Sequence, residues 1–230
     1  MWTKILNQFN DLSTLPVLCL LLSCLLGLRY WYRFPAPLRI VVIYLVFNFL
    51  IEIGARVASA VYAQNLPLLH LYTLGECLLF SLFYRQILDE RSVFKRFFNW
   101  ILGVVLSLVL LNTIFLQSIF EFNTYAKILV QVLIILYALD YAFRFAEREE
   151  SNPKVGQALR LINAAILIYY CGSLFIFMSD HFAIRMGTAI QILWDINTVL
   201  NLIFQLVILV ALWKAVFSLP KSSSSPAQAS

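Results

Sequence analysis

Residues 40–84, IVVIYLVFNFLIEIGARVASAVYAQNLPLLHLYTLGECLLFSLFY, decide the fold. Two apolar runs, 40–63 and 66–84, flank a short polar turn containing Asn65 and Pro67. A helix rises 1.5 Å per residue, so a hydrocarbon core of about 30 Å needs about 20 apolar residues, and each run is of that length. Only Glu52, Arg56 and Glu76 carry formal charge in the whole stretch. The turn cannot continue a helix, because the residue before a proline is pushed toward extended backbone. The stretch therefore reads as two membrane-spanning helices joined by a tight connection.

The same pattern extends outward in both directions. Apolar segments recur at 12–32, 97–116, 126–145, 161–178 and 190–213, separated by Pro35 and Pro37, by the charged 89–96 segment, by 121–124, by 147–156 and by 179–187. The expected architecture is all-α: a seven-transmembrane-helix bundle over residues 1–219, followed by a low-complexity cytoplasmic tail, 220–230, too poor in apolar residues to order itself. The first segment lacks a basic leader and an A-x-A cleavage site, which marks it as a true span.

Composition agrees. Of the 230 residues, 62% are apolar and only 13% charged, about half the usual charged share, so a water-facing surface cannot be built. A soluble enzyme domain is excluded, and so is a disordered chain, since aromatics alone supply 15%. The net charge of +5 does not indicate nucleic acid, because the basic residues lie in small groups between apolar runs. They report topology instead. With the N-terminus outside, thirteen of the seventeen fall on the inner side, Lys4, Lys127 and Arg185 fall outside, and Arg56 lies within the second span. The excess of Lys and Arg in cytoplasmic loops places the N-terminus out and the C-terminus in.

Cys19, Cys24, Cys77 and Cys171 all sit in apolar runs without CxxC spacing, so neither a disulfide framework nor a zinc site is indicated and buried packing is their expected role. Two histidines, His70 and His181, are too few for a three-histidine zinc centre. Haem ligation by the pair is disfavoured, since His181 falls in the loop after the sixth span. A Schiff-base pigment needs a lysine well inside a helix, whereas Lys214 ends the last one. No G-x-S-x-G, HExxH or P-loop is present. No cofactor is expected.

The informative letters are the polar residues inside the spans, because an ionisable group at mid-bilayer costs on the order of 3 kcal/mol and usually faces the bundle interior or a wet cavity. Glu52 and Arg56 are one turn apart and can pair locally. Tyr72 and Glu76 share a face of the third segment, with His70 about 120° away. Trp194, Asn197, Asn201 and Gln205 form a stripe on the seventh, beside Asp195, and interhelical hydrogen bonding alone is a competing role for it. Rise per residue puts these groups at compatible heights. Glu52, Arg56, His70, Tyr72, Glu76, Trp194, Asp195 and Asn197 are thus expected to line one outward-opening pocket, with Arg56 anchoring an anionic group, the carboxylates a cationic one and the aromatics an apolar body.

Residues 65–84, NLPLLHLYTLGECLLFSLFY, resemble a pattern of uncharacterised bacterial seven-transmembrane, sensor-like membrane proteins of similar length, with a weaker likeness in the seventh segment. The resemblance implies an integral protein of the bacterial inner (plasma) membrane and leaves the ligand open. The segments also divide three, one, three. Leu38-Arg39-Ile40 matches Leu159-Arg160-Leu161, and Tyr72 can be laid over Trp194, as in a parallel repeat. A sugar-transporter family resembles this plan and orientation, but its Pro-Gln loop motif is missing here. The expected function is a receptor-like or sensor-like protein that binds a small polar molecule and signals to a cytoplasmic protein. The alternatives are a small-molecule transporter, then an intramembrane enzyme or a structural subunit of a membrane complex. The lipid bilayer is the expected surrounding, and nucleic acid is not an expected partner.

Overall fold

Exposure and polarity are inverted relative to a water-soluble bundle in the computed structural model, which describes residues 14–145, 153–183 and 188–217. Along the last helix Ile192, Ile196, Val199, Ile203, Leu206, Val210 and Trp213 are all exposed. Their spacing of alternating fours and threes keeps one apolar stripe on the outside. On the same helix Asn197, Asn201 and Gln205 turn away from that stripe. Lys127, Glu76, Gln131 and Asn163 are buried elsewhere in the bundle. Apolar side chains outside and polar ones within are what a hydrocarbon solvent selects, and the chain is an integral membrane protein on that ground.

The described residues form helices α1 (Thr14–Arg29), α2 (Ala36–Tyr62), α3 (Leu66–Ile87), α4 (Phe98–Leu111), α5 (Thr124–Phe145), α6 (Pro153–Ala183) and α7 (Thr188–Val216), with no strand among them. A one-turn helix, Val93–Arg96, precedes α4, and a wide π-type turn, Asn112–Leu116, ends it. Six helices, α2 to α7, with α4 counted through its π-type turn to Leu116, are long and apolar enough to cross a membrane; Thr14–Arg29 is apolar but shorter than these. Prolines open several of them. Pro37 and Pro67 stand in the first turns of α2 and α3, where a missing N–H costs nothing. Ala63 closes α2 at φ 56°, a left-handed cap that lets the chain reverse within three residues.

Several boundaries differ from the sequence expectation. The first helix stops at Arg29, because a 3-10 turn at Trp31–Arg33 and Pro35 redirect the chain into α2. The sixth begins at Pro153, about two turns before the expected start, and takes Gly156 into the helix; it also runs through position 181, which the sequence reading had put in a loop. The expected 220–230 tail, Lys4 and Arg185 lie outside the described residues. Cys24 and Cys77 are buried, but Cys19 is half-buried and Cys171 is exposed on the outer face, so packing is not the role of all four. A thiol is apolar enough to face lipid.

Packing joins the helices into a ring. α1 packs on α2, α2 on α3, α3 on α5, α5 on α6, α6 on α7 and α7 back on α1, with α4 outside against α3 and α5. Close approach is bought by glycine at the α1–α2 seam, where a Cβ on Gly27 would meet Val42 Cγ2 at 2.6 Å. Because successive helices alternate in direction, Arg29, Arg39, Arg85, Lys95, Arg96 and Lys214 collect at one end, hereafter the basic end. The half of the bundle beside it is filled with aromatic side chains. Phe80 packs 4.4 Å from Tyr44 and 5.5 Å from Tyr170, and Tyr84 lies 5.5 Å from Tyr137 between ring centroids. Tyr84 Oη donates to Asn163 Oδ1 at 2.8 Å, and Asn163 Nδ2 donates to the Ala138 carbonyl at 3.2 Å, binding α3, α6 and α5 at one node.

Candidate functional site

The other half of the bundle holds a cavity of about 300 Å³ among α2, α3, α5, α6 and α7, at the small end of the range typical of ligand sites, about 300–1,000 Å³. Tyr44, Asn48 and Glu52 reach it from α2, Tyr72 from α3, Lys127 from α5, Tyr169 and Phe177 from α6, and Trp194, Asn197 and Asn201 from α7. Asn65 and Phe122, in the connections at this end, complete the rim.

Its floor is built on a buried ion pair. Lys127 stands on the first turn of α5 and Glu76 midway along α3; Lys127 Nζ donates to Glu76 Oε2 at 2.6 Å, with side-chain exposures of 3% and 0%. Tyr170 Oη donates to the other carboxylate oxygen, Oε1, at 2.7 Å, so both oxygens are engaged. The ammonium also lies 4.5 Å from the centroid of the Tyr72 ring, with Tyr170 and Phe177 each at 6.0 Å. Such ring faces attract a desolvated cation. Tyr44 and Tyr72 share a hydrogen bond between their hydroxyls at 3.1 Å, and Gln131 Nε2 donates to Ser173 Oγ at 2.9 Å, tying α5 to α6.

A second ion pair forms the wall. Arg56 donates from Nε and Nη2 to Glu52 Oε1 at 3.2 and 3.1 Å, the local pairing expected from their spacing.

Of the eight residues expected from sequence, Glu52, Tyr72, Trp194 and Asn197 line the cavity. The other four do not. Arg56 is buried behind Glu52, and Glu76 lies beneath Lys127, each holding the partner that faces the cavity. His70 turns toward α4 instead: Nδ1 lies 3.1 Å from Thr113 Oγ1, and Nε2 donates to the Glu121 carbonyl at 3.1 Å. Asp195, exposed and one residue past Trp194, falls outside the lining because 100° of helix rotation separates neighbours. Arg56 does not reach the cavity; the cationic side chain that lines it is Lys127, which the sequence reading places with the outer segments. Its signal was present in the spacing to Gln131, one turn on, which puts two costly polar residues on one face of α5.

His70 has a mechanical part. It fastens the segment after α4, which carries Phe122 onto the cavity rim, and Asn123 Nδ2 adds bonds to Thr73 Oγ1 at 2.7 Å and to the Leu69 carbonyl at 3.3 Å. Replacing His70 with Leu is expected to lower stability by about 0.5–1.5 kcal/mol for each part-buried hydrogen bond lost, and to accelerate hydrogen exchange in 117–123 while leaving the basic end unchanged. Equal protection in both proteins would show that this histidine fastens nothing.

Compared with protein-family models, with curated proteins and with solved structures, the chain matches none.

Proposed function

We propose that the protein is a sensor-like seven-span membrane protein, N-terminus outside and C-terminus in the cytoplasm, that binds a small polar molecule in the cavity and passes its occupancy to a cytoplasmic partner at the basic end. The observation that carries this reading is the cavity itself, a chamber walled by aromatics and asparagines and floored by the Glu76–Lys127 pair. The cost of burying the three charges of Arg56, Glu76 and Lys127 is unnecessary for a bundle held by packing alone. The excess of basic residues at the opposite end supports an outward opening. Helices α2, α3, α5, α6 and α7 all contribute to the walls, so a ligand that tightens them acts on most of the ring at once.

A small-molecule transporter is the second reading, favoured by the packing. Each triplet, α1–α3 and α5–α7, joins its helices in sequence, the last of each meets the first of the other, and α4 stands aside. That pattern suits a parallel repeat. Alternating access would have to open the aromatic half below the floor, where Phe80, Tyr84 and Tyr170 are buried, and this weighs toward sensing.

The test uses the full chain in lipid nanodiscs, screened by thermal unfolding against a library of small polar metabolites. At a concentration a hundredfold above Kd, a ligand stabilises by about 2.7 kcal/mol, a rise of several degrees. Ala55→Trp, which fills the cavity, is expected to remove the shift, and Ala55→Ser to retain it. No stabilising compound, or a shift that survives Ala55→Trp, would overturn the reading. Uptake of the same compound into liposomes would favour the transporter.

A further inference from the structure

Resting on that reading of the cavity, we infer that its ligand is a small zwitterion of the amino-acid type, with its carboxylate on Lys127 and its ammonium on Glu52. The argument is one of spare bonding capacity. An ammonium has three donors, and Lys127 Nζ gives one to Glu76 Oε2; its other neighbours are the rings of Tyr72, Tyr170 and Phe177, which accept no ordinary hydrogen bond. Lys127 is itself a lining residue, and its remaining donors have no acceptor among the described residues. Glu52 mirrors it. The two bonds that Glu52 accepts from Arg56 both fall on Oε1, leaving Oε2 with no hydrogen bond to a described residue, and Glu52 also lines the cavity.

The charge balance narrows the class. Glu76 and Arg56, which pair with the two lining charges, are both held back from the cavity, so among the described residues its lining presents one positive and one negative group. A monovalent anion would satisfy Lys127 and face an unanswered Glu52; a monovalent cation would do the reverse. A molecule carrying both charges answers both groups and brings no net charge into a low-dielectric site. Asn48, Asn197 and Asn201 add neutral polar contacts, and Asn197 Oδ1 is buried with no partner among the described residues. The Trp194 and Phe177 rings, edge to face at 5.9 Å, both line the cavity and offer apolar surface to a ligand side chain.

Titration calorimetry on the full chain in nanodiscs tests this with a quartet that shares one side chain: L-phenylalanine, L-phenylalaninamide, N-acetyl-L-phenylalanine and N-acetyl-L-phenylalaninamide. The leucine quartet is run beside it. The zwitterion of at least one quartet is expected to bind tenfold or more tightly than its three relatives. Glu52→Gln is expected to erase its advantage over the N-acetyl acid. The double variant Glu76→Leu/Lys127→Met, which removes both charges of the floor and so avoids a stranded one, is expected to erase its advantage over the amide. A neutral member binding as tightly as the zwitterion overturns the inference, as does unchanged selectivity in the two variants. If neither quartet binds while the metabolite library yields uncharged ligands, the inference falls and the cavity reading stands; if nothing binds at all, both fall.

Discussion

Replacing Glu76 with Leu is expected to lower the stability of the protein by about 3–5 kcal/mol, because it strands a buried ammonium whose carboxylate partner is gone. Lys127 is 2% exposed, and the one side-chain hydrogen bond it makes among the described residues goes to Glu76. The same change leaves the Tyr170 hydroxyl without its acceptor. Lys127→Met removes the cation instead and leaves a carboxylate with Tyr170 Oη alone, at a similar cost. The double variant is expected to recover most of the loss, since an apolar pair of similar volume needs no desolvation of charge. Unfolding of each single variant and of the pair gives a double-mutant cycle, and a coupling energy above about 1 kcal/mol is the signature of residues in direct contact. Additive losses would mean that the two side chains do not meet in the membrane-embedded protein.

How much of this was legible beforehand depended on which property the sequence encodes strongly. Membrane spans follow from length and hydropathy, and each apolar run from 40 to 213 falls in a helix of the bundle, although the sixth helix extends beyond its run at both ends. A contact within one helix was equally accessible: Glu52 and Arg56 pair because four residues make a turn. Rotation about each helix axis was not. In a segment apolar on all sides no hydrophobic stripe marks the inner face, so Tyr72 and His70, two residues and 200° apart, were assigned to one pocket although they face α2 and α4. Lys127 was lost for a related reason. Polar residues near a span end look like a loop by hydropathy, and only the tertiary contact with Glu76, 51 residues away, makes a lysine tolerable there. Packing order was also invisible, since nothing local in α4 says that it stands outside the ring.

The largest contrast is expected in cysteine accessibility. Asn197→Cys and Asn48→Cys place thiols on the cavity wall, and Ile208→Cys places one on the inward face of α7, nearer the basic end, at a position 1% exposed. A charged, water-soluble methanethiosulfonate reacts with thiolate and cannot enter packed protein or hydrocarbon. Labelling at 197 and 48 should therefore exceed that at 208 by about two orders of magnitude, as burial both excludes the reagent and suppresses ionisation. The native thiols supply internal controls: Cys77 is fully enclosed, and Cys171 is exposed on the outer apolar face, where a charged reagent does not partition. Applied to proteoliposomes from one side at a time, the reagent also reads topology. The cavity cysteines should react from the side opposite Arg91→Cys, which sits in the connection at the basic end, and that side should be external if the basic residues set the orientation. Protection by a bound zwitterion would then tie accessibility to occupancy. Labelling at 197 from both sides would mean that the floor opens, converting the sensor reading into a transporter, whereas labelling at 208 as fast as at 197 would mean that the floor is absent.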